Sequence, residues 1–78
     1  MSLNKLKIGD RGKIIQIHSP ELEMVLMKLG LVRGDQFRVT QQAPFNGPIA
    51  VQCNGTQVAI REQDARAIEV SLIHGKTP

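Results

Sequence analysis

Cys53, His18, His74 and the carboxylates Glu21 and Glu23 are the side chains with which this sequence could do chemistry: attack by a thiolate, proton transfer by an imidazole, or ligation of a transition metal. Their spacing speaks against each. A nucleophilic cysteine needs a base beside it, whereas Cys53 alternates in phase with Ile49 and Val51, which predicts a side chain turned into the core as a small hydrophobe. His18, His74 and Cys53 have none of the i, i+3 or i, i+4 spacings from which metal sites are commonly assembled. Glu21 and Glu23 are two apart and face different directions, and in the first turn of a helix they complement its dipole. The 7 glycines contain neither G-x-G-x-x-G nor G-x-x-x-x-G-K-S/T, so nucleotide binding through those loops is excluded. No nucleophile, base and orienting group come together, and the expectation is a non-enzyme with no cofactor and no metal ligands.

What remains is contact with another molecule. Met24 and Met27 lie off the apolar stripe of the predicted helix, and with Leu31, Val32 and Phe45 they offer adaptable apolar surface. The loop from Ala43 to Pro48, bounded by Pro44 and Pro48, reads either as a stiff connection or as a preordered docking tip. The methionines likewise read either as a docking face or as a widened buried face. The expected partner-binding set is therefore Met24, Met27, Leu31, Val32, Pro44, Phe45 and Pro48. With 2 Phe, no Tyr and no Trp, the chain has too few rings for a proline-rich-peptide groove or a base-stacking platform. Its 10 Lys and Arg against 7 Asp and Glu give +3, scattered except for the run Lys5 to Lys13. That run reads as a charged strand edge, with a nucleic-acid or acidic-lipid patch as the alternative. A lone cysteine forms no internal disulfide and points to a reducing compartment. No apolar run approaches the roughly 20 residues of a membrane span. A cytoplasmic protein follows, with no nucleic acid as partner, reaching membranes only through another protein.

The 78 residues make one domain, with a core over about 6–72 and a frayed tail over 73–78. Lys13 to Ile17 reads as a first strand. Ser19 then caps a helix over about 20–29 with Pro20 in its first turn, Leu22, Val25, Leu26 and Leu29 as its apolar stripe and Gly30 as its left-handed stop. Phe37 and Val39 alternate in a second strand. Ile49, Val51 and Cys53 alternate in a third, Asn54-Gly55 turns it into a fourth with Val58 and Ile60, and Ala67 to Val70 is the last. Arg61 to Arg66 makes one polar helical turn. No internal repeat is evident. Five short strands and one inserted helix predict a small, mainly β barrel, whose closure would remove exposed sheet edges, existing as a monomer or weak dimer.

The segments Leu6-Lys7-x-Gly9-x-x-Gly12-x-Ile14, Leu26-x-x-Leu29-Gly30-Leu31-x-x-Gly34, Ala43-Pro44-x-x-x-Pro48-Ile49, Val58-Ala59-Ile60-Arg61 and Ala65-x-x-Ile68-x-Val70 together resemble the FeoA family, the small cytosolic component of bacterial ferrous iron uptake. The resemblance runs from about Leu6 to Val70. It implies an SH3-like barrel with an inserted helix and a non-enzymatic role in binding and modulating the FeoB membrane transporter through its cytoplasmic region. Similar domains occur fused to FeoB and at the C-terminus of DtxR-type repressors, which gives a metal-responsive regulatory module using His18, Cys53 or the glutamates as the alternative. Relatives commonly carry a leucine followed by Gly and Asp where this loop has Phe45-Asn46-Gly47, so no charge-based contact of the loop is carried over.

Overall fold

The computed structural model describes residues 1–73. A 3₁₀ turn over Leu3–Lys5 leads into β1 (Arg11–Ile17), the helix α1 (Pro20–Lys28), β2 (Gln36–Gln42), β3 (Ile49–Cys53), β4 (Thr56–Ile60), the short helix α2 (Glu62–Ala65) and β5 (Ile68–Leu72). The strands form one sheet in the order β4-β3-β2-β1-β5, with every neighbouring pair antiparallel. This is the mainly β arrangement with one inserted helix that the alternation and the caps predict. Its inner face gathers Ile14, Phe37, Val39, Val51, Ile60 and Ile68 with their neighbours into one core. The 3₁₀ turn adds Leu3 and Leu6, so the core begins earlier than the expected position 6. Ile73, just past the end of β5, donates its N–H to the Arg11 carbonyl at 2.9 Å; the rest of the predicted tail, with His74, lies outside the described residues.

Closure of the sheet is only half as expected. The edge at β5 is covered by the chain's own start: Val70 N–H donates to the Met1 carbonyl at 2.7 Å, and Ser2 bridges Glu69. The opposite edge, β4, gains no further strand among the described residues. Its register on β3 runs from Cys53↔Thr56 to Ile49↔Ile60, closed by Asn54 and Gly55, both with positive φ as a two-residue hairpin turn requires.

The structure reveals a local repeat that the sequence reading missed. Leu6-Lys7-Ile8-Gly9-Asp10 and Leu31-Val32-Arg33-Gly34-Asp35 fold alike. Each aspartate accepts from the backbone N–H three residues earlier, Lys7 at 2.8 Å and Val32 at 2.9 Å, and each glycine sits at φ +95. Each turn then seizes the other strand: Gly9 N–H donates to Val39 O and Val39 N–H to Asp10 O, while Gly34 N–H donates to Ile14 O and Ile14 N–H to Asp35 O. Both strands also bulge at the equivalent place, β1 between Ile14 and Gln16 and β2 between Val39 and Gln41. A pseudo-two-fold axis therefore passes through the pair Gly12↔Phe37. Directly opposed residues share one face of a sheet, so two large side chains cannot both occupy the axis. Phe37 takes the space and Gly12 yields it; a Cβ at Gly12 would lie 2.7 Å from Phe37 Cζ.

Helix α1 seats differently from its predicted stripe. Ser19 Oγ accepts from Leu22 N–H at 3.2 Å, as an N-cap should. At the far end Leu31 N–H reaches back to Leu26 O and Gly30 N–H to Met27 O, a Schellman closure with Gly30 at φ +90. Of the stripe, Leu26 is buried and Leu22 packs against the core, while Val25 and Leu29 are 54% and 47% exposed. The helix is short and rests on the barrel along one i, i+4 line, so the other flank of the stripe stays outside.

Candidate functional site

The α1 helix and the turn that follows it build a hollow with a mainly apolar lining that gathers several of the predicted partner-binding residues. Met24 and Met27 are 56% and 57% exposed on the outer side of α1, and the Schellman reversal brings Val32 alongside them. With Pro20 and the charged rim residues Glu23 and Arg33, they wall a shallow groove of about 560 Å³. Arg33 is steadied from beneath by a hydrogen bond from its Nη1 to Gln16 Oε1 at 2.9 Å. Two flexible thioethers beside a branched valine make a surface that reshapes around an inserted apolar side chain, and the opposed charges at the rim set orientation rather than energy. Sequence reasoning missed Pro20, Glu23 and Arg33 as walls of this groove. Their signal was proximity to the helix ends, where caps and reversals put side chains beside the exposed face.

Leu31 is corrected. It is 1% exposed, because the residue after a helix-stopping glycine folds back on the last turn, here onto Leu26. Its side chain belongs to the core cluster rather than to the exposed surface. The remaining predicted residues do not join the groove. The loop before β3 turns tightly, with Gly47 N–H donating to Pro44 O at 3.1 Å and with Phe45 and Asn46 both at positive φ. Phe45 stands at its tip, 98% exposed, and with Pro44 flanks a polar hollow of about 530 Å³ that also includes Lys5 and Arg66. Pro48 belongs to a third hollow, of about 310 Å³, with Ala50 and Ala59 on the outer face of the sheet. The helix groove and the proline-bounded loop are thus separate places, and the loop's two hollows meet at Gln42 and Ala43.

Cys53 is buried on β3, and its thiol is pushed up from the ordinary value of 9.0 first by burial, then by the charge of the nearby Asp35 and a hydrogen bond to it. A thiol held protonated in this way is a poor nucleophile. His18 Nε2 pairs with Glu69 at 3.0 Å on the exposed surface, tying the start of α1 to β5. Among the described residues no three of His, Cys, Asp and Glu gather as a metal site would need. No helix among them is long and apolar enough to cross a membrane. The basic run is also dispersed: Lys5 and Lys7 sit in the opening turns, whereas Arg11 and Lys13 lie exposed on β1 and face Arg38 and Gln36 of β2.

Comparison with known proteins places this geometry. The model of the FeoA domain matches residues 1–72. The chain is 31% identical over 74 residues to an Fe(2+) transport protein A/Fe(2+) transporter FeoB fusion protein of Porphyromonas gingivalis, covering 94% of this chain but only 9% of the fusion protein. Among solved structures, the FeoA protein from Chlorobium tepidum superposes with a TM-score of 0.88 at 38% identity, over 99% of this chain and 74% of that one. A FeoA-like protein from Clostridium acetobutylicum superposes with a TM-score of 0.84 at 26% identity, over 100% of this chain and 92% of that one. A manganese-dependent transcriptional repressor shares the fold with a TM-score of 0.80 at 24% identity, a likeness of architecture alone. The five antiparallel strands curled on one core, the helix inserted after the first of them and the match along residues 1–72 lead to one conclusion: the chain belongs to the FeoA family, an SH3-like domain associated with Fe2+ transport.

Proposed function

We propose that this chain is a non-enzymatic accessory protein of ferrous iron uptake that works in the cytoplasm, binding the cytoplasmic region of a FeoB-type transporter and modulating it. The observation that carries this reading is the Porphyromonas gingivalis relative, in which a segment like this chain is part of one polypeptide with an FeoB transporter. Fusion keeps two partners at high effective concentration, and a separate chain must obtain the same association from a surface. The surface we assign is the groove of Met24, Met27 and Val32. Burying the exposed part of one methionine side chain there contributes about 1 kcal/mol, roughly fivefold in affinity.

Co-purification of the full chain with a FeoB-type transporter tests the reading. The unmodified chain is retained, Met27→Glu is retained at least about tenfold less well, and both have the same melting temperature because Met27 is exposed. Failure of the unmodified chain to associate under any nucleotide condition rejects the partner. Equal retention of Met27→Glu rejects the surface and leaves the partner standing.

A further inference from the structure

We propose that the outward face of the sheet carries a second interaction surface, centred on Arg11, Lys13 and Arg38, that takes an extended acidic polypeptide segment. The register places Arg11 directly opposite Arg38. Like charges directly opposed across two strands are destabilising, so a fold that keeps such a pair without an anion nearby carries an unmet electrostatic demand. Neither arginine forms an ion pair among the described residues. The ion pairs there join His18 to Glu69, Arg61 to Asp64 and Arg66 to Glu62. The acids closest in sequence, Asp10 and Asp35, are turned to the backbone N–H groups of Lys7 and Val32.

The surroundings fit carboxylates. Gln57, Gln52, Arg38 and Arg11 stand directly opposite one another across β4, β3, β2 and β1, and Gln36 with Lys13 begins the next row. Arg11, Gln36, Arg38, Gln52 and Asn54 wall a shallow hollow of about 240 Å³. Guanidinium groups supply paired donors that match a carboxylate, and the amides can turn their NH2 groups toward it. Spacing selects the form of the partner. Arg11 and Lys13 are alternate residues of one strand, roughly 6.6 Å apart along it, the same repeat as residues i and i+2 of an extended peptide. A segment with Asp or Glu at alternate positions therefore presents its carboxylates in step with them.

Two other polyanions fit less well. Patches that bind anionic membranes use about 4–8 Lys or Arg at about 1 kcal/mol each, and three fall short. Single-stranded nucleic acid calls for aromatic stacking partners, and the two phenylalanines are elsewhere: Phe37 is buried and Phe45 stands on the loop tip. The acidic-segment surface is separate from the groove on α1, and neither depends on the other.

The test is an NMR titration of the full chain, at low salt, with a capped peptide of alternating glutamate and serine. Expected are shifts centred on Arg11, Lys13, Gln36, Arg38 and Gln52, and an affinity that falls at least about tenfold in the double variant Arg11→Gln, Arg38→Gln, which loses two charge-assisted contacts. That variant folds at least as well as the parent, since it relieves a like-charge pair, and Arg61→Gln leaves the affinity unchanged. Absence of binding, or shifts confined to other residues, overturns the proposal. Tighter binding to phosphatidylserine vesicles or to DNA at the same salt, lost in the same double variant, also overturns it and assigns the face to a membrane or a nucleic acid.

Discussion

Single residues in this domain are constrained mostly by what stands opposite them. Gly12 has no side chain because Phe37 lies on the pseudo-two-fold axis beside it. Gly12→Ala is expected to lower stability by about 1–3 kcal/mol in urea unfolding, and the loss should shrink in a background of Phe37→Leu, which withdraws the clashing ring atoms. Cys53 offers a second residue-scale prediction. Its folded-state thiol is raised above the ordinary 9.0, so the folded form holds the proton more tightly than the unfolded chain does. The resulting stability is present below pH 9.0 and is lost as pH rises beyond it, because only the unfolded chain can ionise freely. Unfolding free energies measured from neutral to alkaline pH should fall more steeply for the parent than for Cys53→Ala. The native thiol should also react slowly with a disulfide reagent at neutral pH and quickly once unfolded. Cys53 and its alternation with Val51 were legible in the sequence, but the nearby Asp35 was not, because it arrives from a turn that the residue order does not place beside β3.

At the scale of elements, most of the fold follows from short-range signals. Ser19-Pro20 and Gly30 mark the ends of α1, Asn54-Gly55 marks the hairpin, and period-two alternation marks β2, β3 and β4. Two things escaped this reading for physical reasons. A helix stripe is drawn from periodicity, whereas the width of the seam depends on how many strands the helix touches, and α1 buries only the line of Leu22 and Leu26. The turns at Gly9-Asp10 and Gly34-Asp35 were read singly as turn chemistry, yet their equivalence rests on hydrogen bonds to Val39 and Ile14 that link distant positions. The equivalence predicts that Asp10→Ala and Asp35→Ala each lower stability by about 1 kcal/mol, the usual loss of a side-chain cap on a turn N–H. Denaturant midpoints of the two variants should agree closely in a Cys53→Ala background, which removes the extra tie of Asp35 to Cys53, and a large difference there would show that the two turns do not share their role.

At the scale of the whole molecule, the buried apolar side chains of the described residues form one core, and the proposed contacts lie on its outside. The candidate site was half legible. Met24, Met27 and Val32 were identified from being off-stripe or just past the helix, and the structure brings them together. Leu31 was misassigned, because the same glycine that stops the helix sends the next residue inward. Phe45 and the proline-bounded loop were expected to dock along with the helix face, and only the fold shows that the loop lines hollows apart from the groove. The association of this family with an iron transporter, together with the groove, yields an account in which contact through α1 is the activity. The most direct measurement is cross-linking in cells from a photoreactive residue placed at position 27, with position 45 as the comparison, in the full chain co-expressed with a FeoB-type transporter. The account predicts capture of the transporter's cytoplasmic region from position 27 and much less from position 45. Capture from position 45 with none from position 27 would contradict it.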